Sequence, residues 1–201
     1  MKKGLMIVIS GPAGSGKGTV NAKLLQSDEY VYSVSATTRE PRGNEKNGKD
    51  YHFITREDFE NRIAKGQMLE YTTYCDNYYG TPLKEAMEVL DSGKNLVLEI
   101  EVEGALNVKR QYPDAVLIML LPPSFAVQES RLRGRGTEVE EKVLARLSRT
   151  REELPELVHY DYVVYNYDDG VDNCADDIRA IVRAEQCSTL RHPTAAQDYF
   201  A

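Results

Sequence analysis

This sequence predicts an α/β fold: a parallel sheet flanked by helices on both faces, carrying one small insertion. Three features support that prediction. Short, unbroken apolar runs alternate with longer amphipathic ones, and runs without polar alternation mark strands covered on both sides. The first such run enters a glycine-rich turn that opens a helix, and strand–helix alternation of this kind builds parallel sheets. The chain of 201 residues suits one domain with a substantial core.

Taken in order, Leu5–Ser10 reads as the first strand and Lys17–Gln26 as the first helix. From Val31 to Tyr79 the rhythm breaks. The chain becomes β-rich and aromatic, with strand-like runs at Tyr51–Thr55 and Met68–Cys75 around one helix, Arg56–Lys65. Helical spacing returns at Pro82–Asp91, Gly104–Gln111 and Ser124–Leu132, separated by the Val-, Ile- and Leu-rich runs Asn95–Ile100 and Ala115–Leu121. Pro122-Pro123 supplies a stop, and Ser124 an N-cap. Between Arg131 and Arg151 stand six Arg and one Lys against three Glu, a local excess of four positive charges in a chain of net charge −7. Tyr162–Tyr165 closes the strands and Asp172–Glu185 the helices, while Ser188–Ala201 lacks periodicity and is expected to pack loosely or fray. The reading is one domain with a core of 4–30, 82–130 and 158–187, an insertion at 31–81, a basic segment at 131–157 and a tail at 188–201.

Composition removes several classes. Hydrophobic residues at 41% and charged residues at 28% exclude wholesale disorder. No apolar run approaches the roughly 18–20 residues that cross a bilayer. Lys2-Lys3 followed by Leu5–Ile9 imitates a signal peptide, but the apolar stretch is short and runs into glycines. Cys75, Cys174 and Cys187 are odd in number and lack metal-ligand spacing, so a reducing cytoplasm is expected. His52, His159 and His192 are equally scattered. The acidic balance argues against nucleic-acid binding, and nothing points to a membrane. No pattern specifies an oligomeric state.

Gly11-Pro12-Ala13-Gly14-Ser15-Gly16-Lys17-Gly18-Thr19 is the clearest motif. Its glycines let successive backbone N–H groups curl around a phosphate at a helix N-terminus, and Lys17 adds a point charge for the terminal phosphates. The Ser or Thr usual after the lysine is Gly18 here, with the hydroxyl one residue later at Thr19. One residue turns a helix by about 100°, so Thr19 does not substitute as a magnesium ligand. Mg²⁺ is therefore expected to arrive with ATP, held by phosphates and water, with Glu99 or Glu101 in its outer shell and no direct protein ligand.

Further motifs follow in order: Ser33-Val34-Ser35-Ala36-Thr37-Thr38-Arg39-Glu40-Pro41-Arg42-Gly43, Gly48-Lys49-Asp50-Tyr51-His52-Phe53, Glu70-Tyr71, Asn77-Tyr78-Tyr79-Gly80-Thr81-Pro82 and Leu98-Glu99-Ile100-Glu101-Val102-Glu103-Gly104. With Arg131–Thr137 and Tyr160–Val164, they make the chain resemble guanylate kinases, ATP:GMP phosphotransferases, from Ile7 to about Ile181. The Gly-Lys-Gly-Thr form of the loop agrees, since it occurs in nucleoside monophosphate kinases.

The resemblance implies two nucleotide sites. Gly11 to Thr19 would bind ATP, with Asn166 near the donor adenine, although Tyr165 and Tyr167 depart from the usual pattern there. Arg39, Arg42, Tyr51 and Tyr79 would hold the phosphate of GMP or dGMP. Arg39 and Arg42 suit that role because a guanidinium forks onto phosphate, and the phenols because they donate O–H bonds. Glu70 and Glu101, with the hydroxyls of Ser35 and Thr81, would read guanine, whose N1–H and N2–H₂ donate while O6 accepts. Glu101, Val102 and Glu103 replace the family's Asp, hydrophobic residue and Gln, so Glu101 serves either guanine or the metal's outer shell.

Segment 131–157 would form a lid, with 31–81 as the GMP-binding insertion. Lys17, Arg39, Arg135 and Arg146 would bracket the transferred group. Arg133 and Arg151 fit a solvated helix paired with Glu138, Glu140, Glu141, Glu152 and Glu153, and Arg149 is open to that reading or to the lid's. Both flaps should close on nucleotides because Arg39 and Arg42, like Arg135 and Arg146, are expected to lack counter-charges until phosphates arrive. The same motifs leave two alternatives: a catalytically inactive guanylate-kinase-like module binding phosphopeptides, and a monophosphate kinase of other base specificity.

Overall fold

The computed structural model describes residues 3–134, 136 and 139–200. Arg135 lies outside them. In chain order the elements are β1 (Met6–Ser10), α1 (Lys17–Leu24), β2 (Tyr30–Tyr32), β3 (Ala36–Thr37), β4 (His52–Phe53), α2 (Arg56–Ala64), β5 (Met68–Tyr74) and β6 (Asn77–Pro82). There follow α3 (Leu83–Asp91), β7 (Asn95–Glu99), α4 (Val102–Gln111), β8 (Val116–Leu121), α5 (Phe125–Gly134), α6 (Glu140–Glu153), β9 (Tyr162–Tyr165), α7 (Val171–Gln186) and α8 (Ala195–Tyr199).

A five-stranded parallel sheet in the order β2-β7-β1-β8-β9 forms the core. Strand β1 lies at its centre, with Ile7 paired to Val97 on one side and Val116 on the other. Side chains along a strand alternate between faces, and here both faces are covered. Ile7 and Ile9 join Val20, Leu24 and Ile178 from α1 and α7, while Met6 and Val8 join Ala86, Leu90, Ala105 and Val108 from α3 and α4. That double burial explains the continuous apolar runs in the sequence. Each fully buried aliphatic side chain contributes about 1.5–3 kcal/mol relative to exposure.

The chain leaves this sheet two residues later than the sequence suggests. Val31 and Tyr32 pair with Leu96 and Val97 as the edge strand β2. The insertion then forms its own four-stranded sheet, β4-β3-β6-β5, over a small core of Ala36, Phe59 and Met68. Helix α2 starts where Thr55 Oγ1 accepts the Asp58 N–H at 3.1 Å, an N-cap that satisfies an otherwise orphaned donor. Its Phe59 stacks on Tyr78, with ring centroids 5.0 Å apart. Strand β4 covers only part of the expected Tyr51–Thr55 run. Strand β6 is concealed in the sequence by Asn77, Gly80 and Pro82, residues depleted in strands; its antiparallel pairing with β5 supplies what propensity does not.

Helices α5 and α6 make the basic segment a helical hairpin, packed through Leu132, Val143 and Leu147 onto Ala13 of the glycine-rich loop. Gln128, 1% exposed, fastens that junction: its Nε2 donates to the Ala13 carbonyl at 3.0 Å and to Thr150 Oγ1 at 2.7 Å. The tail packs loosely, with Leu190, Tyr199 and Phe200 exposed, and is tied down at one point. Arg191 donates to Glu185 at 2.7 Å and to the Asp114 carbonyl at 2.9 Å, so charge pairing replaces the missing apolar periodicity before α8. Among the described residues no helix is long and apolar enough to cross a membrane.

Candidate active site

Parallel strands deliver their carboxyl ends to one edge of the sheet, where open α/β folds bind ligands. Here β1 ends in the glycine-rich loop, and β7 ends at Glu99 with Ile100 and Glu101 following. Gly16 caps α1 with φ 91°, a left-handed conformation that glycine adopts without steric cost. A Cβ there would also stand 2.2 Å from Asn166 Nδ2. Lys17 folds over the loop, its ammonium donating to the Gly11 carbonyl at 2.6 Å.

Two cavities meet at this edge, of about 320 and 480 Å³. Lys17, Tyr74, Glu99, Glu101 and Arg146 line both. The larger continues along Pro12, Ala13, Gly14, Gly16, Gly18 and Thr19, and is closed by Arg149, Thr150 and Glu153 from α6. The smaller runs beneath the insertion, past Ser35, Arg39, Arg42, Tyr51, Tyr79 and Glu70. Gly11, Ser15, Thr81 and Asn166 line neither wall. Gly11 takes part through its carbonyl. Asn166, 4% exposed, supports the loop from behind by donating its Nδ2–H to the Ser15 carbonyl at 2.8 Å. Arg131 reinforces it there, donating to the Asn166 carbonyl at 2.8 Å and pairing with Asp168.

Glu70 lies at the inner end of the smaller cavity, only 3% exposed. Antiparallel register sets it directly opposite Thr81, whose hydroxyl donates to Glu70 Oε1 at 2.9 Å. The hydroxyl that the resemblance assigns to guanine thus donates to the neighbouring carboxylate in this structure. Burial pushes the Glu70 carboxyl up to about 7, against the opposing effect of the hydrogen bonds from Thr81. Gly104 leaves room for it, since a Cβ there would meet Glu70 Oε2 at 3.0 Å.

At the other end Arg39 is already paired, contrary to the expectation that it lacks a counter-charge. Its two Nη groups donate to Glu45 at 2.8 and 3.0 Å, and the Arg42 N–H donates to the same carboxylate at 2.7 Å. Those bonds, Arg39 first, hold the Glu45 carboxyl down at about 2. Tyr51 and Tyr79 stand edge to face beside it, with centroids 6.1 Å apart. Where the cavities meet, Asn21 Nδ2 donates to Glu99 Oε2 at 2.6 Å and fixes that carboxylate between them. No group of three or more metal-ligating side chains converges among the described residues.

Sequence reasoning missed Tyr32, Tyr74 and the role of Glu45; the pairing of Arg149 with Glu153 that it allowed does form, but both side chains also line the larger cavity. The spacing of Arg146 and Arg149 was the available signal, because residues three apart share a helix face.

Comparison with known proteins agrees with this geometry. The guanylate kinase family model matches residues 3–185. Guanylate kinase of Halalkalibacterium halodurans is 51% identical over 191 residues, covering 94% of this chain and 93% of the relative. That of Lactococcus lactis is 49% identical, covering 92% and 89%. The crystal structure of guanylate kinase from Anaplasma phagocytophilum superposes with a TM-score of 0.76 at 35% identity, covering 95% of this chain and 90% of that one. With its parallel sheet, glycine-rich loop and pair of adjoining cavities, the chain belongs to the guanylate kinase family.

Proposed function

We propose that the chain transfers the γ-phosphoryl group of ATP to GMP, or to dGMP, giving ADP and GDP or dGDP. The observation that carries this reading is the junction of the two cavities at Lys17, Glu99, Glu101 and Arg146. One cavity has a phosphate loop; the other has an arginine–tyrosine end and a buried carboxylate. Two anionic termini can therefore meet beside one lysine and one arginine. An oxygen of the GMP phosphate attacks the γ-phosphorus in line, ADP leaves, and no protein nucleophile is required. Lys17 and Arg146, with Arg135 and Arg39, stabilise charge on the migrating group. Arg42, Tyr51 and Tyr79 anchor the acceptor phosphate. Glu70 accepts from guanine N1–H and N2–H, and Ser35 lines the same cavity. Adenine, which has no such pair of donors, would leave a buried carboxylate unsatisfied.

Glu99 and Glu101 are hard oxygen donors opposite the loop. They fit Mg²⁺ of the kind that keeps its waters and takes its direct ligands from phosphates. When bound, that ion neutralises phosphate charge. Cys75, Cys174 and Cys187 are free thiols, and this supports placing the activity in a reducing cytoplasm. The intact phosphate loop speaks against a phosphopeptide module. A coupled assay of ADP formation across GMP, dGMP, AMP, CMP and UMP tests the proposal: GMP and dGMP should turn over and the others should not. Equal rates with AMP would refute the base assignment, and no transfer to any acceptor would refute the activity.

A further inference from the structure

Arg149 lines the larger cavity, a placement that its sequence context leaves open. It leaves α6 on the same side as Arg146, and its side chain is 36% exposed. Its Nε donates to Glu153 one turn further on, at 2.5 Å. Its guanidinium packs 4.8 Å from the ring centre of Tyr74, which comes from the insertion. Its Nη2 stands 3.4 Å from Glu101, long for a charge-assisted hydrogen bond. One edge of the guanidinium is thus firmly held and one face is covered. The remaining edge, on a side chain that lines the same cavity as the loop, is weakly engaged by a half-exposed carboxylate.

We propose that Arg149 is a phosphate-binding residue of the donor site. In this role it exchanges its long contact with Glu101 for the polyphosphate of ATP, while Glu153 and Tyr74 keep its guanidinium in place. Exchange is favourable because partly exposed ion pairs contribute little, whereas phosphate offers a guanidinium a bidentate, charge-assisted partner. The inference rests on the ATP reading of the larger cavity and adds a third described cation to Lys17 and Arg146.

The test is calorimetric titration of Arg149→Gln and Arg149→Lys with the Mg²⁺ complex of a non-hydrolysable ATP analogue, and separately with GMP. Arg149→Gln should bind the donor analogue about tenfold more weakly, about 1.4 kcal/mol, with GMP affinity within twofold of wild type. Arg149→Lys, which keeps charge but loses the fork, should fall between. Thermal denaturation checks folding, and Arg149→Lys carries the comparison if Arg149→Gln fails to fold. Donor affinity within twofold of wild type would overturn the proposal. So would equal weakening of donor and GMP, which would make Arg149 a latch between α6 and the insertion. Absence of transfer by the wild-type protein would refute the underlying activity instead, and is read in the separate kinetic assay.

Discussion

Replacing Glu70 with Gln, and varying pH, gives the sharpest test of how guanine is selected. The wild-type carboxyl is 3% exposed and is held at about 7 by burial. Guanine presents two donors, so binding requires the ionised form. At pH 6 about ten molecules are protonated for each one ionised, and GMP affinity should drop about tenfold relative to pH 8, with uptake of GMP releasing close to one proton. The GMP phosphate itself titrates near 6, so the informative quantity is the difference between wild type and Glu70→Gln. Calorimetry in buffers of different ionisation enthalpy measures both affinity and proton release. The variant sets a donor against donors and should bind GMP about 30–1000-fold more weakly, with only the phosphate titration remaining. Stability supplies a second reading. Because the folded value lies above the ordinary 4.5, the contribution of Glu70 is fully present below about 4.5 and is lost as pH rises through about 7. At pH 8 Glu70→Gln should therefore stabilise the free protein by up to about 3 kcal/mol, less whatever the Thr81 bond to the carboxylate contributed. Identical pH dependence of GMP binding in the two proteins would refute the reasoning.

Three further outcomes are expected. Lys17→Met should lower kcat by about 10²–10³-fold while nucleotide binding partly survives, whereas Arg42→Lys should chiefly raise KM for GMP; steady-state kinetics with both substrates varied separates them. Ile7→Ala, at a fully buried position in the central strand, should cost about 2–5 kcal/mol in urea denaturation with the active site chemically unaltered. Gly16→Ala combines a positive φ with the clash against Asn166 and should weaken ATP binding more than GMP binding, as measured by titration.

Much of this protein can be read along the chain. The first strand, the loop from Gly11 to Lys17, the two apolar strands that flank β1 and the helices between them depend on local chemistry: apolar runs, glycines and caps whose effect is set within a few residues. Strand β6 was hidden because Asn77, Gly80 and Pro82 oppose a strand locally, and only pairing with β5 overrides them. The same pairing sets Thr81 across from Glu70 and so decides which way a hydroxyl donates and how a carboxyl titrates. Asn21 on Glu99 and Arg149 over Tyr74 likewise join residues from different elements, whereas Glu45 reaches Arg39 within one connection, through a turn whose path the residue types do not specify. The sequence by itself determined the fold class and the phosphate loop, because apolar runs, glycines and caps act within a few residues, while the acceptor-site residues followed from resemblance rather than from local chemistry. Tertiary structure alone decided which charges are already paired and which groups face the cavities, because electrostatic energies depend on distances and burial that exist only once distant segments have packed.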